Sequence, residues 1–168
     1  MPEQSSLTHP AASSPAPLIA VVSGKGGTGK STVSLCLAAT LSEQCHAALL
    51  DLDPQAGVSL AAGVARATAP LSAAPDAKLG FPLFPGGRAL ALAGPGEIRR
   101  RLSALRADYR VLVADLSPAL TDAAHVAVLT ADTLAVVVAR TDAAGLANVD
   151  ETVQLCREKH CDVLIVPN

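Results

Sequence analysis

Short runs of consecutive apolar residues recur along this chain, each separated from the next by a stretch with helical spacing or by Gly- and Pro-rich sequence. Leu18–Ser23, Ala47–Leu52, Arg110–Leu116, Thr133–Ala139 and Asp162–Pro167 are apolar nearly throughout rather than alternating, as expected of strands covered on both faces. Between them the spacing predicts helices over Lys30–Gln44, Gly96–Asp108, Ala119–Thr130 and Asp142–His160, with a short one over Gln55–Val64. In Gly96–Asp108 the apolar Ile98, Leu102 and Leu105 share one face. The stretch Ala65–Pro95 is Ala-, Pro- and Gly-rich and carries a short expected strand at Arg88–Leu92. Residues 1–17 are rich in Pro, Ser and Ala without periodicity and read as a disordered leader. Strands alternating with helices define an α/β domain over residues 18–168, a mostly parallel sheet between two helical layers. Ligands of such sheets bind beyond the carboxyl ends of the strands.

The first strand runs into Ser23-Gly24-Lys25-Gly26-Gly27-Thr28-Gly29-Lys30-Ser31-Thr32, and the first helix follows it. Gly24 and the four residues before Gly29-Lys30-Ser31 fit the phosphate-loop pattern in its required strand–loop–helix setting. The glycines let backbone N–H groups approach phosphate oxygens, and the helix N-terminus adds a partial positive charge. Lys30 is placed to neutralise the β- and γ-phosphates, and the Ser31 hydroxyl to ligate Mg²⁺. Lys25 is a second cation where the general pattern tolerates any residue; a solvated loop lysine is its plain alternative.

A phosphate loop also needs a carboxylate at a neighbouring strand end to hold Mg²⁺, usually through water. The strand Arg110–Asp115 ends in such an acid, though an acid after a strand also serves as a helix cap. Asp51-Leu52-Asp53-Pro54-Gln55 ends the second strand with two more carboxylates, and Pro54 stiffens the exit.

Half of the 168 residues are hydrophobic but only 2% are aromatic, so Ala, Val and Leu must build the core. A net charge of −2 gives no global pull toward nucleic acid or anionic lipid. No apolar stretch is long enough for a membrane span, and the N-terminus lacks a basic start and an apolar signal core. The chain therefore reads as cytoplasmic, and its four cysteines as reduced, buried small hydrophobes. Positive charge gathers locally at Arg88, Arg99, Arg100, Arg101, Arg106 and Arg110. Arg99 and Arg106 would share a helix face opposite the apolar stripe, either as a solvated surface or as a patch for a phosphate backbone.

Gly-Lys-Gly-Gly-Thr-Gly-Lys-Ser-Thr, residues 24–32, resembles the deviant phosphate loop of the ParA/MinD family of dimeric ATPase switches. Asp51-Leu52-Asp53-Pro54-Gln55 resembles the family's first switch segment, and the strand ending at Asp115 its second motif. There Asp115-Leu116-Ser117-Pro118 keeps only the second of two usual prolines. The resemblance spans about residues 18–168 and implies a three-layer P-loop fold, ATP and Mg²⁺ as ligands, and ATP hydrolysis. It assigns phosphate binding to Gly24, Lys25, Gly26, Gly27, Thr28, Gly29, Lys30, Ser31 and Thr32, and contact with the adenine to Asn168. Lys25 would reach the nucleotide of a partner subunit, Lys30 would stabilise the transferring phosphate, and Asp53 would orient the attacking water. Ser31, Asp115 and, in the outer shell, Asp51 would serve the metal. The implied partners are a second copy joined through ATP, a centromere-binding adaptor and DNA held non-specifically through Arg99, Arg100, Arg101 and Arg106. The implied role is nucleoid-associated partition of a plasmid or chromosome, the alternatives being a non-hydrolysing nucleotide-binding module or a MinD-like ATPase that positions other cargo. Family members continue through further helices, and the MinD branch into an amphipathic membrane tail, so the resemblance makes this sequence read as C-terminally short, either truncated or divergent.

Overall fold

The computed structural model describes residues 15–71 and 79–168. Five of the expected strands form: β1 (Leu18–Val22), β2 (Ala47–Leu52), β4 (Val111–Leu116), β5 (Thr133–Ala139) and β6 (Asp162–Pro167). A two-residue strand, β3 (Leu83–Phe84), joins them by pairing Leu49 with Leu83 and Leu50 with Phe84. All pairings are parallel, in the order β3-β2-β4-β1-β5-β6.

Both faces of this sheet are covered, which is why its strands are continuously apolar. On one face Val21, Leu49, Val113, Val136 and Val138 pack with Ala38 of α1 (Lys30–Ser42) and Val58 of α2 (Gly57–Ala61). On the other, Leu18, Ala20, Val22, Leu50, Leu112 and Val137 meet α3 (Arg88–Leu92), α4 (Pro95–Asp108), α5 (Ala123–Val128) and α6 (Ala143–Glu158). The result is the three-layer α/β/α architecture of the P-loop NTPases.

Several boundaries differ from the sequence reading. Arg88–Leu92 is helix α3, not a strand; Arg-Ala-Leu-Ala-Leu contains no β-branched residue and consists of good helix formers. Helix α5 begins at Ala123 rather than Ala119, because Ser117 organises the preceding residues as a loop. The Ala119 N–H donates to its Oγ at 3.2 Å, and that hydroxyl donates to Asp122. Helix α6 ends in a left-handed His160, with Cys161 N donating to Cys156 O at 3.0 Å. Residues 1–14 of the expected leader lie outside the described residues. Ala16 is buried, its N–H bonded to Arg106 O at 3.1 Å. Of the four free cysteines, Cys156 and Cys161 are buried while Cys36 is exposed and Cys45 half-buried. Among the described residues, no helix is long and apolar enough to cross a membrane.

Candidate active site

The chain leaves β1 at Val22 and turns through the glycine-rich loop into α1. Gly29, the N-cap of α1, has φ +89°, a left-handed conformation open to glycine at little cost. A Cβ there would also collide with the Asn168 side chain. A cavity of about 310 Å³ opens over this turn, lined by Lys25–Thr32, Asp53 and Pro118. Lys25, Gly26 and Gly27 are exposed at its mouth, whereas Lys30 is buried. Gly24 is set back from the cavity against α6, its nearest neighbour Thr152 Oγ1.

Beneath the loop lies a cluster around Asp115, itself fully buried. Lys30 Nζ stands 3.0 Å from Asp115 Oδ1, Ser31 Oγ donates to Oδ2 at 2.9 Å, and Ser34 Oγ lies 2.8 Å from Oδ1. The carboxylate therefore faces a full positive charge and two hydroxyls, which offsets much of the cost of burying it. Lys30 and Ser31, the two groups expected on phosphate and metal, both lean on Asp115. Ser34 was missed in the sequence; only its place one helical turn after Lys30 hints that it shares the inward face of α1.

Asp51 and Asp115 are in register on adjacent parallel strands. Asp51 is also fully buried, and its oxygens are taken by protein donors. Oδ1 accepts from Asp53 N at 3.2 Å, and Oδ2 from Ser59 N at 2.8 Å and Ser59 Oγ at 2.6 Å. Burial pushes its carboxyl above the ordinary range; the Ser59 and Asp53 hydrogen bonds oppose this, while the charge of Asp115 adds to it. Asp51 does not line the cavity; Asp53, half-buried two residues on, does. Asp53 Oδ1 accepts from Gln55 N at 2.8 Å, a short turn that Pro54 permits.

Asn168 braces the loop from behind: its Nδ2 donates to Thr28 O at 2.8 Å, and its own N–H to Ala139 O at 2.8 Å. His125 of α5 is buried with neither ring nitrogen hydrogen-bonded. Its basicity falls to about 4, chiefly through burial and further through Lys30, against the opposing charges of Asp122 and Asp53.

The basic residues are dispersed in role. Arg99 Nη2 donates to Val126 O at 2.7 Å, and Arg101 pairs with Glu97 at 3.0 Å. Arg106 Nε donates to Ala16 O at 2.6 Å, with Asp132 at 3.9 Å, leaving its side chain only 14% exposed. Arg99 and Arg106 do share a face, but it flanks Leu102 around a cavity of about 300 Å³ rather than lying opposite the apolar stripe. Arg100 is exposed.

A sheet of this order, with a glycine-rich turn, a buried lysine–aspartate pair and a second carboxylate at the mouth, defines a P-loop nucleotide-binding domain. The chain belongs to the CobQ/CobB/MinD/ParA nucleotide-binding domain family, whose model matches residues 19–155. Its fold is similar to that of apo McdA from Cyanothece, with a TM-score of 0.77 and 19% identity over 90% of this chain and 72% of that one. It is likewise similar to a plasmid partition protein from Borrelia burgdorferi, TM-score 0.77 and 18% identity over 92% and 79%. A third similar fold is cobyrinic acid a,c-diamide synthase from Mycobacterium smegmatis with bound ATP analog and magnesium. Its TM-score is 0.75, with 24% identity over 90% and 74%. Among curated proteins no sequence match is found.

Proposed function

We propose that the protein is a ParA-type ATPase, an ATP-dependent dimerisation switch serving plasmid or chromosome partition. The observation that carries this reading is that Lys25 and Asp53 open onto the same cavity as Gly26–Thr32. A phosphate loop needs only one lysine to bind phosphate. A second, exposed lysine at the mouth is suited to a nucleotide held by another copy, so that association and charge stabilisation are coupled.

In this reading the loop N–H groups and Lys30 hold the ATP phosphates. Ser31 at the cavity and Asp115 hydrogen-bonded beneath it are hard oxygen donors, the type Mg²⁺ prefers, and would hold the ion, Asp115 through water. Bound Mg²⁺ supplies charge neutralisation at the phosphates. Lys30 must leave Asp115 to meet phosphate, and Ser34 stays behind to keep that carboxylate oriented. Asp53 orients the water that attacks the γ-phosphate, yielding ADP and phosphate. Asp51 serves at one remove, through the backbone of Asp53. Asn168 contributes to the adenine pocket by leaving Thr28 O. A centromere-binding adaptor and DNA, the latter through Arg99, Arg100 and Arg101, bias the two states.

Sizing the protein with Mg²⁺-ATP against Mg²⁺-ADP tests the switch. A dimer is expected with ATP alone, and Asp53→Ala is expected to bind ATP and remain dimeric without hydrolysing it. A monomer under both nucleotides, or parental hydrolysis by Asp53→Ala, overturns the reading.

A further inference from the structure

We propose that Ser59 is a positioning residue for Asp53, acting through the buried side chain of Asp51. The inference rests on the role given to Asp53 above and adds what holds that residue at the cavity.

Asp53 is the first residue after β2, where sheet hydrogen bonding no longer fixes the backbone. Its N–H is caught instead by Asp51 Oδ1, two residues back. That carboxylate is no anchor unless it is itself held, and the holder is Ser59 in α2. Both Ser59 N and Ser59 Oγ donate to Asp51 Oδ2. With its one proton so used, the Ser59 oxygen accepts from Gly86 N at 3.0 Å. The line Gly86 N–H, Ser59 O–H, Asp51 carboxylate, Asp53 N–H thus ties the loop after β3 to the water-orienting residue.

Its members are protected from competing water, since Asp51 and Ser59 are fully buried and Gly86 is buried too. A hydroxyl suits the central place, because it donates to one neighbour while accepting from the other. Gly86 is closely fitted as well. A Cβ there would stand 2.7 Å from both Asp51 Oδ1 and Asp53 O, so a side chain at this position would displace the same two residues. Of this line only Asp53 borders the phosphate cavity; Gly86, Ser59 and Asp51 do not. Ser59 can therefore alter hydrolysis without touching the nucleotide.

Single-turnover ATP hydrolysis and equilibrium binding of a fluorescent ATP analogue, measured on Ser59→Ala, Ser59→Cys, Asp53→Ala and the parent, test this. Ser59→Ala keeps the Ser59 N–H bond and loses both hydroxyl bonds. It is expected to hydrolyse about tenfold more slowly, with nucleotide affinity within about twofold of the parent. Ser59→Cys keeps a weaker donor–acceptor group on a slightly larger side chain, and should hydrolyse at a rate between Ser59→Ala and the parent; if Ser59→Ala does not fold, Ser59→Cys decides by the same readouts. Rate and affinity falling together would mark a merely structural residue and overturn the proposal. So would parental hydrolysis by Ser59→Ala or Ser59→Cys beside an inactive Asp53→Ala. An inactive parent removes the role of Asp53 first, and this inference with it.

Discussion

Replacing His125 by Leu should remove a specific part of the protein's sensitivity to acid. The imidazole is 1% exposed, and both ring nitrogens lack a hydrogen-bond partner. Burial holds its folded basicity near 4, against 6.5 for an ordinary histidine. The unfolded chain therefore binds a proton more readily than the folded one between those values. Stability is fully present above the unfolded pKa and is lost as pH falls from 6.5 toward 4. Integrating the linkage between about pH 7.5 and about pH 5 gives a loss of about 2 kcal/mol from this residue alone. Urea unfolding of the parent and of His125→Leu at the two pH values isolates it, because the other titrating groups are common to both. At neutral pH the variant should be at least as stable, since it removes an unpaired buried polar group and keeps the volume. Equal acid sensitivity in the two proteins would refute the reasoning and place a water or a side chain on the ring.

Lys30→Ala is expected to abolish nucleotide binding and also to weaken the nucleotide-free protein. Asp115 would keep only its hydroxyl partners, and about 3 kcal/mol should be lost in urea unfolding. Unchanged stability would show the pair to be neutral in the empty site. Arg99/Arg100/Arg101→Ala should release DNA at lower salt and reduce the salt dependence of retention, read by elution from a DNA column. Retention unchanged by the triple substitution would remove this helix as the contact.

Much of the site could be read along the chain because its parts are local. Residues 24–32 carry strand end, turn and helix start in one run, and the cavity forms over them. Asp53 and Asp115 were recognisable as acids where apolar strands stop. What escaped were contacts between segments far apart in sequence. Nothing near Ser59 or Gly86 marks them as supports for Asp51, and the spacing of Ser34 from Lys30 hints at a shared helix face without naming Asp115 as its partner. Asp51 and Asp53 look equivalent in Asp-Leu-Asp-Pro. Yet alternate residues on a strand take the same side, and the strand ends between them, so one is buried in donors and the other opens to the cavity.

The arginines make the same point from the other side. Their clustering in one segment is a fact of composition, but whether each can meet a ligand depends on what packs beside α4. Arg106 is occupied by Ala16 and Asp132, while Arg100 stands in solvent. Similarly, Arg88–Leu92 could be strand or helix by its apolar content; the place beside β2 went to Leu83–Phe84.

Periodicity and the glycine–lysine run were enough to specify a parallel α/β domain with a phosphate loop, since those signals arise from neighbours within a few residues. Folding alone decided which carboxylate is buried among donors and which opens to the cavity, and which hydroxyl supports the buried one. Those outcomes depend on hydrogen-bond geometry between strands and loops that meet only once the sheet has closed.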